Sequence, residues 1–221
     1  MRTASDTNGK GTRANSPVLP QPILEWMRPV LGVMGRGIWN LTQKGIENIP
    51  PDGGLIIASN HQSYLDPFLI SIPIKRPLRF LAWNAALEWP VAGKLMKLMG
   101  AWPLELERSD PSAIRRSIQW LREGEALVIF PEGGRGQADG SMVRFKGGAV
   151  RMALEADVPI LPVTIRGANN AWPKRNLLPR TGKVEITYHP VHHVEQLAGE
   201  ETRACARRES DRLAEIIGSA L

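Results

Sequence analysis

The chain has one cysteine, Cys205, in 221 residues. A disulfide within the chain is excluded, and so is a cysteine-rich zinc site. A lone thiol is consistent with a reducing compartment. Aromatic residues are few, at 6% of the chain, and skewed: seven Trp against four Phe and two Tyr. Tryptophan joins an apolar body to a polar N–H, which suits a lipid–water interface as well as a core. No apolar run approaches the roughly 18 residues of a membrane-spanning helix, because Arg, Lys, Glu or Pro interrupts every candidate. Contact with a membrane would run along its surface. The first sixteen residues are small and polar and lack the apolar stretch of a signal peptide. Acidic residues are in the minority, 22 against 28 basic ones, for a net charge of +6. A basic surface attracts phosphorylated substrates, acidic lipid or nucleic acid. No nucleic-acid motif accompanies the charge and acids are interspersed with the bases, so nucleic acid is not an expected partner.

Hydrophobic residues make up 43% of the chain and charged residues 23%, proportions of a folded domain with a core. Residues 1–16 are expected to form a disordered tail, residues 17–44 an N-terminal amphipathic helical segment, and residues 45–221 one domain. From Ile23 to Leu41 apolar residues recur at helical spacing (Ile23, Trp26, Met27, Val30, Leu31, Met34, Ile38, Trp39), with a kink or restart expected at Pro29. Two readings fit this segment: a helix packed on the domain, or one lying in a bilayer interface. Six strands are expected: Leu55–Ser59, Leu78–Trp83, Ala101–Glu107, Ala126–Phe130, Pro159–Ile165 and Lys183–His189. Between and after them come helices at Asp66–Ile72, Trp89–Met99, Pro111–Glu123, Gly147–Ala156 and Glu200–Leu221. Asp110 is the expected cap of the third, with Pro111 in its first turn. This alternation predicts an α/β fold: a single domain with a mostly parallel or mixed sheet and helices on both faces, preceded by the N-terminal helix.

Two loops carry chemistry. The first is NHQSYLD, directly after the strand Leu55–Ser59, where α/β folds place their ligands. His61 can accept a proton near neutral pH, and Asp66 can fix its tautomer and stabilise the imidazolium. The two are about 140° apart on an ideal helix. The spacing therefore places His61 in a turn and Asp66 in the first helical turn after it, with Ser63 as a candidate N-cap. No G-x-S-x-G elbow is present, so a covalent intermediate is not required; a substrate hydroxyl deprotonated by His61 suits these residues better. The alternative is a plain turn capped by an aspartate. The second loop is FPEGGRG, Phe130 to Gly136. Its glycines let backbone N–H groups approach a ligand closely, and Arg135 can grip a phosphate through two N–H bonds. Glu132 would repel phosphate, so it is expected to orient Arg135 or to accept a bond from a substrate hydroxyl. Arg108, Arg144, Lys146 and Arg151 form a basic set around this loop. His189, His192 and His193 do not make a metal site, because adjacent histidines on a strand face opposite ways and no Cys or acid completes a set.

Taken together, the two loops resemble the N-H-x-x-x-x-D and F-P-E-G-T-R blocks of the glycerolipid acyltransferases, a family that includes lysophosphatidate and glycerol-3-phosphate acyltransferases. Their order and their separation of about seventy residues are similar too. GIENIP, MGAWPLELER, FKGG and VPILPV resemble the segments around them, so the likeness runs from about Trp26 to His189. The resemblance implies transfer of an acyl chain from a coenzyme A or acyl-carrier-protein thioester to a glycerolipid hydroxyl. The leading expectation is the sn-2 hydroxyl of 1-acylglycerol 3-phosphate, in phospholipid biosynthesis. It implies His61 as base, Asp66 as its support, and Glu132, Gly133, Arg135 and Arg108 as the residues linked to the acceptor phosphate. Asn60, Ser63 and Lys146 are further candidates. No bound cofactor or metal is implied; the partners are a lysophospholipid, the acyl thioester, an anionic membrane surface and an acyl carrier protein. The implied location is peripheral or monotopic, on the cytoplasmic face of the cell membrane. The sequence departs from the pattern at Gly134, which stands where the family usually has Thr, and at two extra residues, Leu106 and Glu107, before Arg108. Another acceptor (glycerol-3-phosphate, a lyso-aminolipid or a glycolipid) and a non-catalytic lipid-binding role remain open alternatives.

Overall fold

In the computed structural model, residues 21–88, 90, 92–98, 100–105, 110–173 and 178–221 are described, with backbone alone for 21–25, 92, 95 and 98. The strands are β1 (Thr42–Lys44), β2 (Leu55–Ser59), β3 (Leu78–Trp83), β4 (Ala101–Leu104), β5 (Ala126–Ile129), β6 (Ile160–Arg166) and β7 (Glu185–Tyr188). The helices are α1 (Gln21–Trp39), α2 (Asp66–Ser71), α3 (Asn84–Leu87), α4 (Ala92–Leu98), α5 (Pro111–Arg122), α6 (Gly148–Ala156), α7 (Ala168–Ala171) and α8 (Thr202–Gly218). The strands form one sheet in the order β1-β7-β6-β2-β5-β3-β4. All neighbours are parallel except β6 and β7. The sheet is mixed, as expected.

Strand β2 lies at the centre and all five of its residues are buried. Successive side chains on a strand point to opposite faces. Leu55 and Ile57 accordingly enter one core, with Leu69 and Ile70 of α2 and Trp39 of α1. Ile56 and Ala58 enter the other, with Leu121 of α5, Val150 of α6 and Leu213 of α8. Helices thus cover both faces. Asp110 caps α5, its carboxylate accepting the Ala113 N–H at 3.0 Å, as the Asp-Pro pair suggested.

Four features differ from the sequence reading. The helix expected over Ile23–Leu41 runs as one element through Pro29 and ends at Trp39. Within the segment expected to be helical up to residue 44, Thr42–Lys44 instead pairs with β7 as an edge strand. Strand β4 stops at Leu104 rather than Glu107, and residues 106–109, with Arg108 among them, lie outside the described residues. The helix expected at Trp89–Met99 is described over Ala92–Leu98 as α4, and a short helix, α3, that was not expected precedes it; Trp89 and Met99, like the expected tail at residues 1–16, lie outside the described residues. Among the described residues no helix is long and apolar enough to cross a membrane.

The topology sets up the site. Strands β2 and β5 are parallel neighbours in register, with Ala58 opposite Ile129. The loops leaving their carboxyl ends, NHQSYL and FPEGGR, therefore emerge side by side although they are far apart in sequence. Arg76 holds the opposite ends of the same strands, donating to the carbonyls of Gly53 and Gly124.

Candidate active site

After β2 the chain turns through residues 60–65 before entering α2. Asp66 is fully buried at the start of that helix, and its Oδ2 accepts three N–H groups: the Gln62 amide at 2.6 Å, the Ser63 amide at 2.7 Å and Nδ1 of His61 at 2.8 Å. A carboxylate gathering turn amides next to a helix start is stabilised by their dipoles. Asp66 itself, rather than Ser63, organises this turn. Ser63 Oγ accepts only the Leu65 N–H, at 3.2 Å, and the α2 cap position falls to Leu65 without a side-chain bond. The expected Ser63 cap is thus corrected: Asp66 is nearer the free amides and carries charge.

Because Nδ1 of His61 faces a carboxylate, it carries the proton, and Nε2 keeps its lone pair. The ring stacks on Phe130 with centroids 4.1 Å apart and planes at 22°. Its side chain is 18% exposed, enough for a substrate atom to reach it. Asn60 is buried, with both polar atoms of its amide turned to the backbone of β6. It exchanges two bonds with the Ile165 backbone, at 2.8 and 2.7 Å, locking the β2 exit to β6. Gln62 ties the turn to Gly140 and Ala168.

Glu132 does not orient Arg135. Its Oε1 accepts the His61 backbone N–H at 2.7 Å and its Oε2 accepts the Val143 N–H at 2.9 Å. Burial pushes its carboxyl above the ordinary range, and the Val143 and His61 amides pull part of the way back. The carboxylate is turned to these two backbone donors, which corrects the expectation that Glu132 orients Arg135. The Gly136 N–H donates to the His61 carbonyl at 2.7 Å, so both sides of the His61 peptide unit are fixed by the glycine loop. A Cβ on Gly136 would lie 2.8 Å from the Ser141 carbonyl. Gly133 has φ +71°, a conformation that favours glycine, and the Lys146 side chain lies over it. Lys146 is thus part of the loop's surroundings.

Arg135 sits beside the other end of the first loop. Its Nη2 donates to the Tyr64 hydroxyl at 2.9 Å, and its guanidinium carbon lies 3.8 Å from the Tyr64 ring centroid. Trp172 meets that ring edge-on at 5.7 Å. The sequence reading missed Tyr64, Phe130 and Trp172 as site residues; the first two lay inside the two motifs, whereas Trp172 had no local signal. The expected basic set divides. Lys146 stays at the glycine loop, Arg144 and Arg151 line a separate cavity against α8, and Arg108 is outside the described residues. His189 contacts Thr164 and His192 contacts Glu209, and among the described residues no group of three His, Cys, Asp or Glu could hold a metal ion. Cys205 is buried in α8 against the Glu195 carbonyl.

The fold and the site define a class: an α/β protein with a carboxylate-held histidine after its central strand and a glycine–arginine loop beside it. The family follows from comparison. A sequence model described as Acyltransferase matches residues 40–166, more than half of the chain, and the chain belongs to that family. It is 33% identical over 156 residues to the 1-acyl-sn-glycerol-3-phosphate acyltransferase of Borreliella burgdorferi, covering 70% of this chain and 62% of that protein. It is 30% identical over 160 residues to a chloroplastic 1-acyl-sn-glycerol-3-phosphate acyltransferase of Arabidopsis thaliana, covering 70% of this chain and 44% of that one. The corresponding Bacillus subtilis protein is 29% identical over 151 residues, 67% of this chain and 72% of its own length. The chain thus spans less than two thirds of the length of the first two. Among solved structures, the 1-acyl-sn-glycerophosphate acyltransferase of Thermotoga maritima superposes with a TM-score of 0.69 at 24% identity, covering 90% of this chain and 78% of that one, and shows the same fold.

Proposed function

We propose that this chain transfers a fatty acyl group from a thioester of coenzyme A or acyl carrier protein to the sn-2 hydroxyl of 1-acylglycerol 3-phosphate, giving phosphatidate. The observation that carries the reading is the bond between His61 Nδ1 and Asp66 at 2.8 Å, which leaves Nε2 as a base. Nε2 takes the proton of the acceptor hydroxyl as its oxygen attacks the thioester carbonyl. The C–O bond forms, the C–S bond breaks, and the departing sulfur takes the proton back from His61. No side-chain nucleophile and no cofactor enters these steps. Arg135 receives the acceptor phosphate as a planar two-pronged donor, with Lys146 adding positive charge. Glu132 acts on the frame, holding the His61 loop against the glycine loop. The names of the relatives support the choice of acceptor.

The chain works at a membrane surface in this reading, on the cytoplasmic face. Helix α1 turns Gly32 and Gly35 toward the domain, Gly35 beside Leu41, and leaves Trp26 81%, Val30 59% and Val33 64% exposed. A surface helix with small residues inward and bulky apolar ones outward suits lipid contact.

One assay tests the reading. Purified protein receives acyl-coenzyme A and a panel of lysolipids, and free thiol is followed, with His61→Ala as control. Thiol release that requires lysophosphatidate and His61 is expected. Equal release from both proteins would sink the mechanism, and equal use of an acceptor without phosphate would sink the lysophosphatidate assignment.

A further inference from the structure

A cavity of about 290 Å³ opens between the start of α6 and the first half of α8. Four arginines line it: Arg144 from the segment before α6, Arg151 from α6, and Arg203 and Arg207 one helical turn apart on α8. Asp211 is the single acid in the lining. None of the four guanidinium groups makes an ion pair or hydrogen bond with a described residue. Their neighbours on the same helix do: Arg208 pairs with Glu200 and Glu209, and Arg212 with Glu215. Four like charges around one concavity repel one another unless an anion joins them.

This cavity shares a wall with the candidate active site. Val143 and Lys146 are bonded to the glycine loop, through Glu132 Oε2 at 2.9 Å and the Pro131 carbonyl at 2.8 Å. Arg144 and Phe145, between those two anchors, line the cavity. Residues 143–146 thus connect the arginine-lined cavity to the loop that holds His61. The cavity belongs to the face covered by α5, α6 and α8, whereas the apolar stripe of α1 is on the face of α2. With that stripe on lipid, the four arginines open toward water, which favours a soluble anion over a lipid headgroup. Their convergence in a concave space suits a compact cluster of phosphates better than the broad acidic face of a protein.

We propose that this cavity binds the phosphates at the nucleotide end of an acyl-coenzyme A donor, while the pantetheine arm runs past Lys146 to bring the thioester to His61. The inference rests on the acyl-transfer reading for the identity of the donor. Its test is made separable by measuring binding without turnover. The full chain is titrated calorimetrically with coenzyme A, with dephospho-coenzyme A and with adenosine 3′,5′-bisphosphate. Coenzyme A and the bisphosphate are expected to bind, and dephospho-coenzyme A about tenfold or more weakly, the loss of one charge-assisted contact. The double variant R203Q/R207Q changes exposed positions. It is expected to weaken coenzyme A at least about tenfold and to raise the KM for acyl-coenzyme A with kcat unchanged. Arg212→Gln, on the same helix, leaves the affinity as it was. Unaltered coenzyme A affinity in R203Q/R207Q overturns the inference. So does a loss confined to phosphatidylglycerol vesicles, or to turnover with acyl carrier protein. Arginine-dependent coenzyme A binding in a chain that transfers no acyl group would leave the cavity assignment standing and defeat the acyl-transfer reading. Acyl transfer indifferent to the arginines would defeat the cavity assignment alone.

Discussion

The Oε1 of Glu132 accepts the backbone N–H of His61 at 2.7 Å across 71 residues of sequence. The two loops are therefore one hydrogen-bonded frame, closed on the other side by the Gly136 N–H on the His61 carbonyl. Glu132→Gln keeps the size and supplies one acceptor, but its NH₂ group must face either the His61 or the Val143 N–H. A buried donor left without an acceptor costs about 1–3 kcal/mol. The variant is expected to unfold at lower denaturant and to lose about 10²-fold in kcat, since the base is displaced from its working position. A variant with wild-type kcat would show that the frame does not position His61.

Asp66 separates two roles that alanine would merge. In Asp66→Asn the amide oxygen still accepts from the turn, but the charge opposite the imidazolium is gone. His61→Ala is expected to lower kcat by about 10²–10⁴. Asp66→Asn is expected to fall in the same range, with a smaller change in KM. Rates measured across pH distinguish them, because only the asparagine variant retains an imidazole that titrates. A fully active Asp66→Asn would remove the aspartate from the mechanism.

Arg135 meets both the hydroxyl and the ring of Tyr64. This contact holds the guanidinium beside the first loop. Arg135→Lys keeps the charge and loses the fork. KM for lysophosphatidate is expected to rise about 10–100-fold, as for loss of one or two charge-assisted bonds. Use of a monoacylglycerol of the same chain length should hardly change. Equal loss on both acceptors would place Arg135 in the framework and not at the phosphate.

At the sheet edge, Glu185 bridges Lys44 of β1 at 2.6 Å and Arg166 of β6 at 2.9 Å. Hydrogen bonds from both, Lys44 first, pull its carboxyl from 4.5 down to about 2. A depressed carboxyl stabilises the fold above the unfolded value of 4.5, and that contribution is lost as pH falls through about 2. Both partners are half exposed or more, so screening limits the effect to roughly 0–1 kcal/mol. Glu185→Gln is expected to melt slightly below wild type at pH 7, with the gap closing as the pH drops from 4.5 toward 2. A gap that persists under acid conditions would point to packing instead.

How much of this was legible in the sequence depended on whether the signal was local. The buried strands β2 and β5 announced themselves as LIIAS and ALVI, because a strand covered on both faces is apolar throughout. Strand β1 did not: Thr42, Gln43 and Lys44 form a polar three-residue edge that pairs with β7. His61 and Asp66 were legible as types at a spacing, but Ser63 was misassigned, because nothing in the sequence shows that a charged oxygen three residues on would gather the same amides. Glu132 was misread for a related reason. Its partners, the amides of His61 and Val143, come together only when β2 and β5 lie side by side. Arg144 and Arg151 looked like neighbours of the glycine loop until α8 brought Arg203 and Arg207 to them.

The exposed stripe of α1 gives the last expectation. Trp26, Val30, Val33, Met34 and Ile38 follow one another at intervals of four, three, one and four residues, and each is at least 37% exposed. In water such a stripe is a liability; in a lipid interface each buried side chain contributes about 1.5–3 kcal/mol. Val33 is 64% exposed, so Val33→Glu disturbs little of the folded domain. It replaces an apolar contact with a charge that anionic lipid repels. Binding to phosphatidylglycerol vesicles, read by co-flotation, is expected to fall about tenfold or more, while activity on lysophosphatidate dispersed in detergent persists. Arg36→Gln, on the exposed side of the same helix, should weaken vesicle binding less and in a salt-dependent way, since it removes charge and no apolar area. If Val33→Glu floats with vesicles as wild type does, α1 is not the element that meets lipid.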